Sequence, residues 1–103
     1  MKHGWLTTLR ADGSPRSVRV WFVEREGAVW IATSDPSWKI ADIRRDPRVA
    51  FAIEGQDNPI AARASLHSID SAPEVLAAFR REYGGWDAAD PAGYGPRILI
   101  RLD

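Results

Sequence analysis

The 103 residues carry fourteen basic and fourteen acidic side chains, a length that suits one domain and a charge balance that offers nucleic acid or an anionic membrane no attracting field. The absence of cysteine excludes disulfides, thiolate chemistry and cysteine-based zinc sites. No apolar run approaches the roughly 20 residues that cross a bilayer, and Met1–Trp5 lacks a signal peptide's apolar core, so a cytoplasmic protein is expected.

In chain order, Trp5–Leu9 reads as a first strand, and the Asp12-Gly13 pair turns the chain after it. Arg16–Val23 alternates, with Val18, Val20 and Phe22 on one face and Arg19, Trp21 and Val23 on the other. Glu26-Gly27 turns the chain again, and Ala28–Ala32 returns as a third strand. Asp35 is placed to cap a helix with Pro36 in its first turn, Ile40 and Ile43 as its buried face, and Asp46-Pro47 as its stop. Arg48–Glu54 alternates Val49, Phe51 and Ile53 against Ala50 and Ala52, a small-residue face suited to a close-packed layer or a flat ligand. Ile60–Ile69 is a fifth strand. Ser71 and Glu74 stand at capping-box spacing before a helix striped by Leu76, Phe79 and Tyr83. Gly84–Pro96 is an aromatic, glycine-rich loop, and Arg97–Leu102 a last strand. Six strands and two short helices predict a small, mainly β barrel with helical plugs.

The loop between the third strand and the first helix is the strongest chemical signal. Thr33, Ser34, Ser37 and Lys39 set hydroxyls and a cation beside a helix N-terminus, a place suited to a phosphate. Taken singly, Lys39 also reads as a solvent-facing lysine, and Thr33 and Ser34 as residues that satisfy local backbone. Arg44 and Arg45 read as a solvated helix end that complements the helix dipole. Trp86 and Tyr94 are placed to close over a ligand or to anchor their loop. His3 and His67 are too far apart in sequence for a metal pair, and Ser14, Ser65 and Ser68 have no nearby histidine in a nucleophile elbow. No side chain stands out as catalytic nucleophile or base, and no metal site is expected.

The ordered set Leu6–Pro15, Val20–Val23, Val29–Thr33, Ser37-Trp38-Lys39 and Arg44–Val49, with Phe79–Gly84 and Gly95–Ile100 further on, resembles the pyridoxamine 5′-phosphate oxidase-like split-barrel superfamily, which includes FMN-binding proteins and deazaflavin (F420)-dependent reductases. The resemblance implies a six-stranded antiparallel split barrel that forms a homodimer, with a flavin in each of two clefts at the subunit interface. It places Arg19, Val20 and Trp21 along the ring, and Ala32, Thr33, Ser34, Ser37, Trp38 and Lys39 around the phosphate. It also suggests that Arg97 reaches the cofactor from the partner subunit. The implied activity is hydride or electron transfer to or from a small molecule, with FMN as cofactor and F420 as the alternative. Where the family usually has arginine before the lysine, this chain has Trp38, and where a proline often precedes Val-Trp it has Arg19. The first change motivates a second reading, a non-redox protein of the same fold that holds haem or another tetrapyrrole, or no cofactor.

Overall fold

A computed structural model describes residues 2–92 and 95–103. Its elements are β1 (His3–Leu9), β2 (Pro15–Trp21), β3 (Val23–Arg25), β4 (Ala28–Ser34), α1 (Trp38–Arg45), β5 (Arg48–Ile53), β6 (Ile60–Ser68), α2 (Pro73–Glu82) and β7 (Arg97–Leu102). The strands form one antiparallel sheet in the order β2-β1-β5-β6-β7-β4-β3. Among the described residues no helix is long and apolar enough to cross a membrane.

Seven strands replace the six expected because the alternating run Arg16–Val23 breaks at Phe22 into β2 and β3. These two pieces are the opposite edges of the sheet. Laid flat, seven strands would hold them roughly 29 Å apart, at about 4.8 Å per spacing. Phe22 bridges them in two Cα steps of about 3.8 Å each. The sheet therefore has to curl until its edges meet at Phe22, yet no ladder joins them, so the curl is not closed. Tyr83, just past α2, satisfies the backbone at the break. Its hydroxyl accepts from the Phe22 N–H at 3.0 Å and lies 2.6 Å from the carbonyl oxygens of Phe22 and Lys2.

The face assignment read from the alternation holds. Val18, Val20 and Phe22 pack inside the curl with Leu6, Ile31, Val49, Phe51 and Ile100, and Ile40 and Ile43 of α1 plug that core. Trp21 and Val23 face outward into a second core, where Val75, Ala78 and Phe79 of α2 pack on Trp30 and Leu99. Gly4 of β1 lies directly over the Phe51 ring, and a Cβ there would collide with it.

Both expected helix caps are absent. Ser37, not Asp35, is the N-cap of α1, and Asp35 pairs with Arg44 at 2.9 Å instead. Ala72 caps α2, while the Ser71 hydroxyl donates to the Ser68 carbonyl. The strongest polar tie was not foreseen. The fully buried Asp42 of α1 accepts from Thr8 Oγ1 of β1 at 2.8 Å and from Arg16 of β2 through Nε and Nη2, both at 2.9 Å. Arg45 adds a longer contact of 3.3 Å, so it serves this carboxylate as well as the helix end. Burial pushes the Asp42 carboxyl up, but the hydrogen bonds from Arg16, Thr8 and Arg45 outweigh it and hold it below its ordinary value.

A carboxylate with a depressed folded value stabilises the protein above about pH 4, and the contribution is lost as pH falls through the lower folded value. Asp42→Asn is therefore expected to cost roughly 2–4 kcal/mol at pH 7, since it leaves Arg16 without its charge partner. Urea unfolding across pH should show the wild-type advantage shrinking below about pH 4. An equal midpoint for both proteins at pH 7 would contradict this role.

Candidate functional site

The incomplete curl leaves a seam between two strand edges. β2 pairs only with β1, so the other edge of Arg19, Val20 and Trp21 keeps free backbone N–H and C=O groups. β3 covers only Ala28–Trp30 of β4, so Ile31–Ser34 is paired on one side alone, by β7. The two bare edges face one groove of about 270 Å³. Its walls include Val18, Arg19, Val20 and Trp21 of β2, Ile31, Ala32 and Thr33 of β4, Lys39 of α1, Trp86 and Arg97.

Six of the nine expected site residues, namely Arg19, Val20, Trp21, Ala32, Thr33 and Lys39, thus come together from three elements. Ser34, Ser37 and Trp38 do not line the groove. Trp38 is an exposed ring with the Arg16 guanidinium 4.5 Å over its face and Lys39 Nζ at 5.5 Å. Ser37 makes no side-chain cap on α1, and its Oγ is buried without a hydrogen-bond partner.

Charge distinguishes the groove. Arg19 is neutralised by Glu54, which accepts its Nη2 at 2.8 Å and its Nε at 3.1 Å. Lys39 and Arg97 are half-buried, and among the described residues neither has a carboxylate within ion-pair distance. Burial first, and then the charge of Arg97, lowers the Lys39 ammonium below its ordinary value. Burial likewise lowers Arg97, against a weaker opposing pull from Asp90. Two desolvated cations, the second of which lowers the first, make a place where an anion is favoured. Among the described residues Arg97 donates to main-chain carbonyls, Nε to Ala88 at 3.1 Å and Nη2 to Ala32 at 3.2 Å, with Trp86 against its guanidinium at 5.5 Å.

Aromatic rings wall the other side. Trp21 stacks on Tyr83 with centroids 4.8 Å apart and meets Trp86 edge-on at 5.0 Å. Trp86 therefore anchors its loop and borders the groove at once. Tyr94 lies outside the described residues. Arg97 lines the groove of its own chain. Val18 and Ile31 lie on strands in the sequence pattern with no sign of a site role. Their small exposed area at the seam follows from the split, which no local pattern announces.

The polar outliers lie elsewhere. Ser65 Oγ is 2.8 Å from His67 Nε2, a pairing that follows from the shared face of i and i+2 on β6 and that the period-two pattern could signal. It lies outside the groove. No nucleophile–base pair lines the groove, and among the described residues no group of three or more His, Asp or Glu could hold a metal ion. The groove is thus built for an anion beside a flat or apolar body, with bare backbone edges to hydrogen-bond it.

The family model for pyridoxamine 5′-phosphate oxidase matches residues 2–103. A search of curated proteins finds no match. Among solved structures, HutZ, the haem storage protein from Vibrio cholerae, superposes with a TM-score of 0.80 at 21% identity, over 99% of this chain and 80% of that one. An F420 reductase gives 0.72 at 23% identity, over 98% and 84%. A pyridoxamine 5′-phosphate oxidase-related, FMN-binding protein from Nostoc punctiforme gives 0.70 at 18% identity, over 98% and 69%. At these identities the likeness is one of fold.

The two lysines of the chain, Lys2 and Lys39, make the electrostatics directly measurable. NMR titration of Lys39 Nζ should give a midpoint below the ordinary lysine value of about 10.4. The midpoint should rise in Arg97→Ala and on adding inorganic phosphate. An ordinary midpoint unmoved by either would contradict the groove's charge balance.

Proposed function

The chain belongs to the pyridoxamine 5′-phosphate oxidase family, and from that premise we propose that it is a homodimeric oxidoreductase that holds FMN in the seam between β2 and β4. The observation that carries this reading is the pair of uncompensated cations, Lys39 and Arg97, on one groove. Lys39 supplies a point charge and Arg97 a planar fork, the two side chains best suited to a phosphate. Arg19, Val20 and Trp21 would run along the ring through their free backbone edge, and Trp21 and Trp86 would bound it.

The bound flavin supplies hydride or electron transfer to or from a small molecule. The chain's part is to bind, orient and exclude water, which agrees with a groove whose described lining holds no nucleophile–base pair. The phosphorylated tail of F420 would use the same two cations, and it is the alternative cofactor. Haem is less well served. The usual axial ligands are His, Met, Cys or Tyr, and among the described residues none lines this groove. His3 Nε2 is taken by Trp21 and His67 Nε2 by Ser65.

A second copy of the chain is proposed from the outer face of the sheet. Trp5 is 43% exposed there and stands in register with Arg19 on one side and Ala52 on the other, while Ala50 faces Ala61. A flat face of alanines around an exposed tryptophan suits close packing. It is continuous with the groove through Arg19. At about 270 Å³ the groove is also slightly below the roughly 300–1,000 Å³ of a complete ligand pocket, and a partner's surface would enlarge it.

Fluorescence titration of the native protein with FMN and with riboflavin tests the reading. FMN is expected to bind more tightly, and Lys39→Ala should weaken FMN about ten- to hundredfold, the loss of one charge-assisted contact, while leaving riboflavin nearly unchanged. Equal affinities for the two flavins in the wild type would overturn it.

A further inference from the structure

One wall of the groove is held by a histidine that the flavin reading does not use. The indole N–H of Trp21 donates to His3 Nε2 at 2.9 Å. An indole nitrogen can only donate, so Nε2 has to be the unprotonated, accepting nitrogen of the ring. The ring proton then sits on Nδ1, which faces Glu54 Oε2 at 3.7 Å. The same carboxylate oxygen accepts from Nε and Nη2 of Arg19. Arg19, Glu54, His3 and Trp21 thus form a chain whose two ends, Arg19 and Trp21, both line the groove.

From this we infer that His3 is a positioning residue for Trp21, and that a second proton on its imidazole releases the indole and weakens ligand binding in the groove. The inference rests on the flavin reading for its ligand and on the hydrogen-bond geometry for its mechanism. An imidazolium has no lone pair, so the Trp21 N–H would face a second N–H in place of an acceptor. Trp21 would keep its stacking on Tyr83 but lose the bond that sets its in-plane orientation. The charged groups around His3 are Glu54 at the end of β5, Arg19 of β2 on the same carboxylate, and Lys2 before β1. Lys2 stands 3.9 Å from both Glu24 of β3 and Glu82 of α2. The Tyr83 hydroxyl reaches the Lys2 carbonyl, not the imidazole. Glu54 is therefore the one carboxylate paired with the ring among the described residues, and because Arg19 shares it, it offsets only part of the added charge while the indole bond is lost.

The test reads the bond and the binding separately. In protein labelled with ¹⁵N-tryptophan, the Trp21 indole resonance is followed as the pH is lowered from about 8 to 5.5. It should move as His3 protonates. In His3→Gln the side-chain carbonyl accepts the same N–H and does not titrate, so the resonance should stay still. Affinity for FMN is then compared between His3→Gln and wild type at each pH, so that protonation of the ligand's own phosphate cancels. The ratio should be near one at pH 8 and about fivefold in favour of His3→Gln at pH 5.5, the loss of one hydrogen bond. An indole resonance that is unmoved in wild type, or that moves equally in both proteins, overturns the inference, as does a ratio independent of pH. Failure of FMN to bind either protein, with the resonance still following His3, would sink the flavin reading and leave the control of Trp21 by His3 standing.

Discussion

A single buried carboxylate sets the geometry on which the groove depends. Asp42 sits at the crossing of α1, β1 and β2, where Thr8 and the fork of Arg16 fill its lone pairs. An ionised group so far from water is tolerable only with that full set of partners. Its consequence is positional. α1 is short and lacks a side-chain cap, so its own hydrogen bonds would hold it weakly. The carboxylate and the two isoleucines, Ile40 and Ile43, fix its rotation from inside the curl. That rotation sends Lys39 to the seam, where Arg97 arrives from the first position of β7.

The seam itself follows from chain continuity. Two sheet edges are joined through one residue, so they must approach, but the break at Phe22 keeps them from pairing. An open strand edge is ordinarily a liability, since its unpaired backbone groups invite another chain. Here the bare edge of β2 looks into a groove bounded by aromatic rings and by cations, and a ligand with hydrogen-bonding groups on a flat body would satisfy it. Architecture and electrostatics therefore point to the same place. No side chain need act as acid, base or nucleophile there, which suits chemistry carried by a cofactor.

Much of this was legible in the sequence because it is local. Period-two alternation separated the inner and outer faces of the run from Val18 to Val23, and the strand–loop–helix succession around Thr33 and Lys39 put a cation at the end of β4. What escaped was set at long range. Asp42 carries no local sign of burial, because nothing nearby in the chain says that Thr8 and Arg16 will meet it from 34 and 26 positions away. Asp35 and Ser71 have the chemistry of caps, but an ion pair with Arg44 and a turn bond to Ser68 take them first. Arg97 was legible as a cation and not as a neighbour of Lys39, since the pairing of β4 with β7 alone brings them together.

The crystal structure of the protein grown with FMN tests the central claim most directly. The phosphate should lie between Lys39 Nζ and the Arg97 guanidinium, within about 3 Å of both, with the ring along the free edge of β2. Density for the phosphate elsewhere, with Lys39 turned to solvent, would contradict it.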